Sequence, residues 1–105
     1  MPYMRLAVDF DGTIIKHNTI PTRQDWWLDY PQENAKEVLM RWLKHHDIYI
    51  YTNRPKKDWK KIKQWLTWHG FPQIRISNKK ELGTHLYIDD RAYRFTNWLD
   101  MSKLV

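Results

Sequence analysis

Short apolar segments along this chain alternate with longer segments in which apolar residues recur every three or four positions. The segments 6–9 and 48–51 are short, and all their residues except Asp9 are apolar, a pattern typical of buried strands. The second of these segments consists of β-branched and aromatic residues, which favour strands. Similar runs over residues 74–76 and 86–88 predict a third and a fourth strand.

Between these strands, the periodicity of the apolar residues predicts helices. Residues 33–45 and 56–69 place their apolar side chains on one face of a helix. Gly70 follows the second segment at a position typical of a helix end. A short final helix is predicted over residues 91–100. Residues 14–32 have no sustained periodicity and contain prolines, so they are predicted to form a long loop.

Strands that alternate with helices predict βαβ units and a parallel sheet. The predicted fold is therefore a three-layer, Rossmann-like α/β fold with a small sheet of about four strands. The 105 residues contain no repeat, linker or low-complexity tract, so we expect one domain over residues 1–105. In such sheets, ligands bind beyond the carboxyl ends of the strands. Residues that directly follow the strands are therefore the first candidates for a functional site.

Acidic residues cluster at this predicted edge of the sheet. Asp9 and Asp11 end the first strand, and Gly12 lets the backbone turn beside them. Asp89 and Asp90 follow the fourth strand. Carboxylates so close together repel one another unless a cation lies between them or one of them holds a proton. The cluster therefore suits a hard cation such as Mg²⁺ together with a phosphate group.

Other residues at the same edge suit phosphate binding. Thr52 ends the second strand, and its hydroxyl and the backbone N–H groups near Asn53 can hold phosphate oxygens. Lys79 or Lys80, just before the fourth strand, can offset the phosphate charge as a point cation. An aspartate beside a metal can attack phosphorus, and a second can exchange protons with the leaving oxygen.

Other known types of site fit the chain less well. A calcium loop starting at Asp9 would need glycine at its sixth position and glutamate at its twelfth, whereas Gly12 is the fourth residue and Ile20 the twelfth. A phosphate-binding P-loop needs several spaced glycines before a Gly-Lys-Ser/Thr ending, and the chain has only 3 glycines. The 5 histidines do not have the spacing of metal ligands.

Four segments resemble the motifs of the haloacid dehalogenase superfamily of phosphotransferases, in the family's order. Asp9-Phe10-Asp11-Gly12-Thr13 resembles the first motif, and Tyr51-Thr52-Asn53-Arg54 the second. Lys79 or Lys80 is similar to the third, and Ile88-Asp89-Asp90-Arg91 to the fourth. Members often carry a cap domain, for which this chain has no segment of sufficient length. The resemblance therefore implies a capless minimal member, similar to small phage and bacterial hydrolases.

The resemblance also implies roles for the clustered residues. Asp9 would be the nucleophile that forms an aspartyl-phosphate, and Asp11 the general acid and base. The Asp9 carboxylate, the Asp11 backbone carbonyl and the pair Asp89 and Asp90 would hold Mg²⁺. The phosphoryl group would be bound by Thr52, by Asn53 and by Lys79 or Lys80. The expected activity is hydrolysis of a phosphate monoester.

The net charge of +6 has two interpretations, which differ in the kind of partner that the protein would attract. A solvated basic surface explains it most simply, and attraction to phosphorylated substrates is the alternative. Lys57, Lys61, Gln64 and Trp68 lie along one stripe of the second helix, which is typical of a solvated face and also suits single-stranded nucleic acid. The substrate is accordingly predicted to be a nucleotide or a phosphorylated nucleic-acid end. Nucleic-acid binding without turnover, and transfer to an acceptor other than water, are the alternatives.

The remaining features concern location and access to the site. The chain has no cysteine, no apolar segment of about 20 residues that could cross a membrane, and no room for a signal peptide before the first strand. We therefore expect a cytoplasmic protein without a membrane partner. Trp26 and Trp27 fit either a lid over the site or an anchor of the loop. A site without a cap is compatible with bulky substrates and with shielding by a neighbouring subunit.

Overall fold

Four parallel strands form one sheet at the centre of the computed structural model, which describes residues 2–16 and 25–105. The strands are β1 (Arg5–Asp9), β2 (Asp47–Tyr51), β3 (Ile76–Ser77) and β4 (Leu86–Ile88). Their order across the sheet is β3-β2-β1-β4, and every neighbouring pair is parallel. This confirms the predicted α/β, Rossmann-like architecture with a small parallel sheet.

Two helices connect the first three strands and cover one face of the sheet. The helices of the fold are α1 (Ala35–Leu43), α2 (Trp59–Trp68) and the short α3 (Trp98–Met101). Alternate residues of β1 and β2 pack with residues of α1 and α2 in one buried cluster, which includes Leu6, Val8, Ile48, Ile50, Leu39, Ile62, Trp65 and Leu66. Each fully buried aliphatic or aromatic side chain contributes about 1.5–3 kcal/mol, so this cluster fixes the helices on the sheet.

The backbone conformation at the ends of α1 and α2 explains where these two helices begin and end. Asn34 precedes α1 with a φ of 67°, in the left-handed region, so the helix begins at Ala35 rather than at residue 33. It ends at Leu43, two residues before the predicted end. α2 follows a 3₁₀ turn, Lys56–Asp58, and ends before Gly70, whose φ of 76° is readily adopted only by glycine.

The opposite face of the sheet carries a row of small and aromatic residues. Ala7 lies between Tyr49 of β2 and Tyr87 of β4 in the strand register. The Tyr49 hydroxyl is 2.8 Å from the Thr84 hydroxyl and accepts a hydrogen bond from the Glu81 N–H at 3.1 Å. The loop before β4 therefore covers part of this face.

Two predicted elements differ from the structure. The third strand is Ile76–Ser77 rather than residues 74–76, because these two residues are the ones in register with Ile50 and Tyr51 of β2. The prediction of a helix over residues 91–100 is wrong, since only Trp98–Met101 is helical. The Asn97 side chain accepts a hydrogen bond from the Asp100 N–H, and such a cap starts a helix rather than continuing one.

The predicted loop over residues 14–32 includes residues 17–24, which lie outside the described part of the chain. The segments on either side pair with each other: the Lys16 N–H donates to the Tyr30 carbonyl, and the Gln32 N–H to the Ile14 carbonyl. Trp26 lies in a 3₁₀ turn and is 8% exposed. This tryptophan therefore anchors the end of the loop in the core, and whether residues 17–24 form a lid stays a prediction.

No cap domain is evident in the described residues, as predicted. Within the same residues, no helix is both long and apolar enough to span a membrane.

Candidate metal and phosphate site

The segment after β1 is held in place by the residue between its two aspartates. Phe10 is fully buried and meets the rings of Trp26 and Trp65 edge to face, with ring centroids 5.6 and 5.3 Å apart. The backbone then turns at Gly12, whose φ is 79°. Asp9 and Asp11 therefore stay at the edge of the sheet while the side chain between them anchors the turn.

Three carboxylates meet at the carboxyl ends of β1 and β4. One oxygen each of Asp9, Asp89 and Asp90 lies within 4.8 Å of the other two. Adjacent parallel strands bring them together, because Val8 is in register with Ile88 and the aspartates follow these residues. Oxygen donors at this spacing suit a hard divalent cation, and this donor set fits Mg²⁺. The structure thus assembles three of the four predicted metal-site aspartates.

The electrostatics of Asp9 also favour a cation. Its pKa is raised from 3.8 to about 6, first by burial and then by the charges of Asp89, Asp11 and Asp90, against a hydrogen bond from the Phe10 backbone. Near neutral pH the Asp9 carboxylate is therefore held in an environment that disfavours its negative charge. A divalent cation between the carboxylates would relieve this cost.

The Asp11 carboxylate lies outside this group and is held by a residue to which the sequence analysis assigned no role. Arg54 donates from Nε to Asp11 Oδ2 at 2.8 Å and from Nη2 to Asp11 Oδ1 at 2.9 Å. The same guanidinium contacts Asp58 at 3.3 Å and lies 4.2 Å from the centre of the Trp26 ring. Arg54 directly follows Thr52 and Asn53, at the edge of the sheet where the ligands were predicted. This position could have identified it as a site residue from the sequence.

The Thr52 hydroxyl is a candidate hydrogen-bond donor to a ligand. Its side chain is 2% exposed, and Oγ1 accepts a hydrogen bond from the Arg54 N–H at 3.1 Å. Thr52 Oγ1 donates no hydrogen bond within the described residues, so its own proton can be given to a ligand oxygen. Thr52 and Asn53 line a cavity of about 410 Å³ together with Asp9 and Asp89. Asp11, Arg54, Asp90 and Arg91 line the same cavity.

The structure distinguishes the two candidate lysines. Lys80 lines a second cavity together with Asp9, and its Nζ lies 5.3 Å from the centre of the Tyr87 ring. Lys79 lines neither cavity, and its backbone exchanges hydrogen bonds with the Ser77 hydroxyl. Lys80 is therefore the better placed of the two for a ligand at Asp9.

Comparison with known proteins supports the fold and is silent on the chemistry. No family model matches the chain, and no curated protein is significantly similar to it. A solved structure of a conserved protein from Bacteroides thetaiotaomicron is similar, with a TM-score of 0.66 and 22% identity. The match covers 98% of this chain and 89% of that chain. At this identity the similarity shows the α/β fold alone.

Proposed function

We propose that this chain is a Mg²⁺-dependent phosphomonoester hydrolase of the haloacid dehalogenase type. The observation that carries the proposal is the approach of Asp9, Asp89 and Asp90 to within 4.8 Å of one another. Thr52, whose hydroxyl proton is available, lines the same cavity. The candidate metal ligands and a candidate hydrogen-bond donor to a phosphoryl oxygen thus share one edge of the sheet, where α/β folds bind their ligands.

The proposed reaction has two steps that use the residues of this edge. When bound, Mg²⁺ would supply positive charge to the phosphoryl oxygens. The Asp9 carboxylate attacks phosphorus, and the bond from phosphorus to the leaving oxygen breaks. Asp11, protonated and with one oxygen released from Arg54, gives its proton to the leaving oxygen. Asp11 then takes a proton from water, which attacks the phosphorus of the aspartyl-phosphate. Inorganic phosphate leaves, and the Asp9 carboxylate is regenerated.

The other residues of the site position the phosphoryl group and shield its charge. Thr52 donates a hydrogen bond to one phosphoryl oxygen, and the backbone at Asn53 offers a further N–H group. Lys80 supplies a positive charge from the side of the second cavity. Phosphoryl transfer depends mainly on such alignment and charge stabilisation, so a small open site of this kind is sufficient for it.

The test is phosphate release from a panel of nucleotides, sugar phosphates and an aryl phosphate, with Mg²⁺ and with a chelator. We expect turnover that needs Mg²⁺ and is lost in Asp9→Asn, a nearly isosteric change that removes the nucleophile. Glu37→Gln removes a carboxylate from the exposed surface of α1 and serves as the control that keeps activity. Turnover that survives in Asp9→Asn, or that is unchanged by the chelator, would overturn the proposal.

The surface of α2 favours a second candidate function, binding of single-stranded nucleic acid. Trp68 is 59% exposed, and Lys61 Nζ lies 5.6 Å from the centre of its ring and 4.6 Å from that of Trp27. An exposed ring beside a cation can stack on a base. Salt-sensitive binding of an oligonucleotide that survives Asp9→Asn and is lost in Trp68→Ala would support this function.

Transfer of the phosphoryl group to an acceptor other than water uses the same residues. Adding a simple alcohol to the phosphate-release assay separates the two reactions. A phosphorylated alcohol formed in place of inorganic phosphate would assign transferase activity to the site.

A further inference from the structure

An in-line attack fixes where the rest of the ester lies relative to Asp9. The attacking and leaving oxygens stand on opposite sides of phosphorus, so the leaving group points away from Asp9 and toward Asp11, which gives it a proton. Asp11 lines the cavity of about 410 Å³ that also contains Thr52, and it does not line the larger cavity beside Lys80. The smaller cavity therefore receives both the phosphoryl group and the group to which it is attached.

The walls of this smaller cavity are polar. The described residues that line it are four aspartates, two arginines, a threonine and an asparagine, with no aromatic or aliphatic side chain among them. A base or another aromatic leaving group would find no ring there to stack on and no apolar surface to cover. Recognition of the leaving group in this cavity therefore depends on charge and on hydrogen bonds.

Two side chains of the cavity are not engaged elsewhere. The proposed reaction uses the aspartates and Thr52, and the Arg54 guanidinium is held by two carboxylates. The side chains of Asn53 and Arg91 are exposed, and neither forms a hydrogen bond or an ion pair with a residue that the structure describes. These two side chains are therefore free to contact a leaving group.

Arg91 is the stronger candidate of the two because it carries a full positive charge. Its backbone N–H donates to Asp89 Oδ1 at 2.7 Å, which ties the residue to the turn that carries the metal-site aspartates. Its guanidinium pairs with none of the described carboxylates, although four aspartates line the same cavity. Arg54, in contrast, meets Asp11 through two nitrogens. The positive charge of Arg91 is therefore not neutralised by an ion pair within the acidic cluster and is available to an anionic ligand.

We propose that Arg91 binds a second anionic group of the substrate, so that the preferred substrates are phosphate monoesters whose leaving group carries a carboxylate or a further phosphate. The Asn53 side chain can donate a hydrogen bond to the same group. The inference rests on the proposed hydrolase, because the in-line reaction at Asp9 orients the ester. Such an anion occurs in small phosphorylated acids and bisphosphates. It occurs also at a phosphorylated nucleic-acid end, where the next phosphodiester supplies it, and the experiment below distinguishes these sources.

The experiment compares kcat/KM for 3-phosphoglycerate and for glycerol 3-phosphate, in which a hydroxymethyl group replaces the carboxylate. We expect a preference for the acid of about tenfold or more, because one charge-assisted hydrogen bond has an effect of this size. Arg91→Gln should remove most of this preference, and Arg91→Lys, which keeps the charge and loses the planar guanidinium, should retain part of it. The matched control is Arg94→Gln, which removes an exposed arginine that lines only the larger cavity and should leave the preference as it is.

Phosphorylated dinucleotides test the second source of the anion. Dinucleotides with a phosphate at the 5′ or at the 3′ end are compared with the same molecules in which an uncharged methylphosphonate replaces the phosphodiester. Removal of this charge should lower kcat/KM about tenfold in the natural protein, and much less in Arg91→Gln. A kcat/KM for the charged dinucleotide above that for 3-phosphoglycerate assigns the site to nucleic-acid ends, and a lower one assigns it to small polyanionic esters.

Binding measured without turnover separates failure of this inference from failure of the proposed function. Calorimetry of Asp9→Asn with Mg²⁺ should show tighter binding of each ester with the second anion than of its uncharged counterpart, by a margin that the further change Arg91→Gln removes. If no ester is hydrolysed and this margin is found, the anion site stands and the hydrolase fails. If the esters are hydrolysed equally well with and without the second anion, or if Arg91→Gln leaves the preference unchanged, the anion site is overturned and the hydrolase stands. Neither turnover nor a margin would overturn both.

Discussion

Arg54 holds both carboxylate oxygens of Asp11, with Nε and Nη2 donating hydrogen bonds of 2.8 and 2.9 Å. The guanidinium is fixed in turn by the Trp26 ring, 4.2 Å away, and by Asp58. A two-point contact of this kind fixes the plane of the carboxylate as well as its position. We infer that Arg54 positions the Asp11 carboxylate at the site, and that one Asp11 oxygen leaves the guanidinium when it exchanges a proton with the leaving oxygen.

Arg54→Lys keeps the positive charge and removes the two-point contact, so it tests this positioning role. We expect kcat/KM to fall about tenfold or more for an alkyl phosphate, whose leaving oxygen needs a proton, and much less for p-nitrophenyl phosphate. Steady-state kinetics with both esters measures the difference. Arg41→Lys, on the exposed surface of α1, is the matched control.

Equal losses with the two esters would count against a role of Arg54 in proton transfer. They would show instead that the residue supports the shape of the site. Thermal unfolding of Arg54→Lys, measured alongside, identifies any general loss of structure.

Thr52→Val tests the predicted hydrogen bond to the phosphoryl group. The change leaves the Arg54 N–H without its acceptor and removes the hydroxyl proton, so binding of inorganic phosphate with Mg²⁺ should weaken about tenfold. Thr52→Ser keeps the hydroxyl, so its affinity for inorganic phosphate should stay much closer to that of the natural protein. Calorimetry measures both affinities, and equal affinities for Thr52→Val and the natural protein would exclude Thr52 as a phosphate ligand.

Asp9→Asn should make the metal-free protein more stable at neutral pH. The pKa of Asp9 is raised to about 6 in the folded state, so the folded protein binds more protons than the unfolded chain between about pH 4 and 6. Ionisation of Asp9 therefore lowers the free energy of unfolding as the pH rises through this range, and this free energy stays lowered at higher pH. Since solvent screens this half-buried group, we expect a gain in Tm of about 5 °C at pH 7.5.

Thermal unfolding of the natural protein and of Asp9→Asn, measured with and without Mg²⁺, provides the control. The cation should raise the Tm of the natural protein more than that of Asp9→Asn, and the metal-free difference between the two should vanish below about pH 4. A variant that is less stable at pH 7.5, or a gain that is the same at every pH, would contradict the repulsion described for Asp9.

Asp47→Asn should destabilise the amino end of the sheet in a pH-dependent way. Asp47 accepts hydrogen bonds from Arg5 at 2.8 Å and from two nitrogens of Arg75, and these contacts, those of Arg75 first, lower its pKa. The stability that they contribute is therefore present above the ordinary pKa of aspartate and is lost as the pH falls through the lowered value.

For this partly exposed network we expect a loss of about 1 kcal/mol at pH 7, measured as a Tm lower by about 5 °C. The difference from the natural protein should shrink as the pH falls below about 4. A difference that stays constant down to pH 2 would mean that the charge of Asp47 is not what stabilises the fold.

The positions of β1, β2 and β4 were predictable because each contains a short apolar run followed by a polar residue. The extent of the final helix, predicted over residues 91–100, was not predictable. The choice between helix and extended chain there depends on the local cap formed by Asn97 and Asp100. The edge strand β3 begins two residues and ends one residue later than predicted, since its bounds depend on pairing with β2 rather than on its own sequence.

The acidic cluster was predictable for a related reason: residues that end adjacent parallel strands must meet at one edge. Asp9, Asp89 and Asp90 do so. The contact of Arg54 with Asp11 joins residues 43 positions apart and depends on how the turn after β1 faces the turn after β2.

The most direct test of the account needs no knowledge of the substrate. Beryllium fluoride binds an aspartate nucleophile as a mimic of the phosphoryl group, and ¹⁹F NMR detects the bound form. We predict a bound signal in the natural protein that requires Mg²⁺ and is missing in Asp9→Asn. A folded protein that gives no bound signal with Mg²⁺, or a signal that persists in Asp9→Asn, would contradict phosphoryl transfer through Asp9.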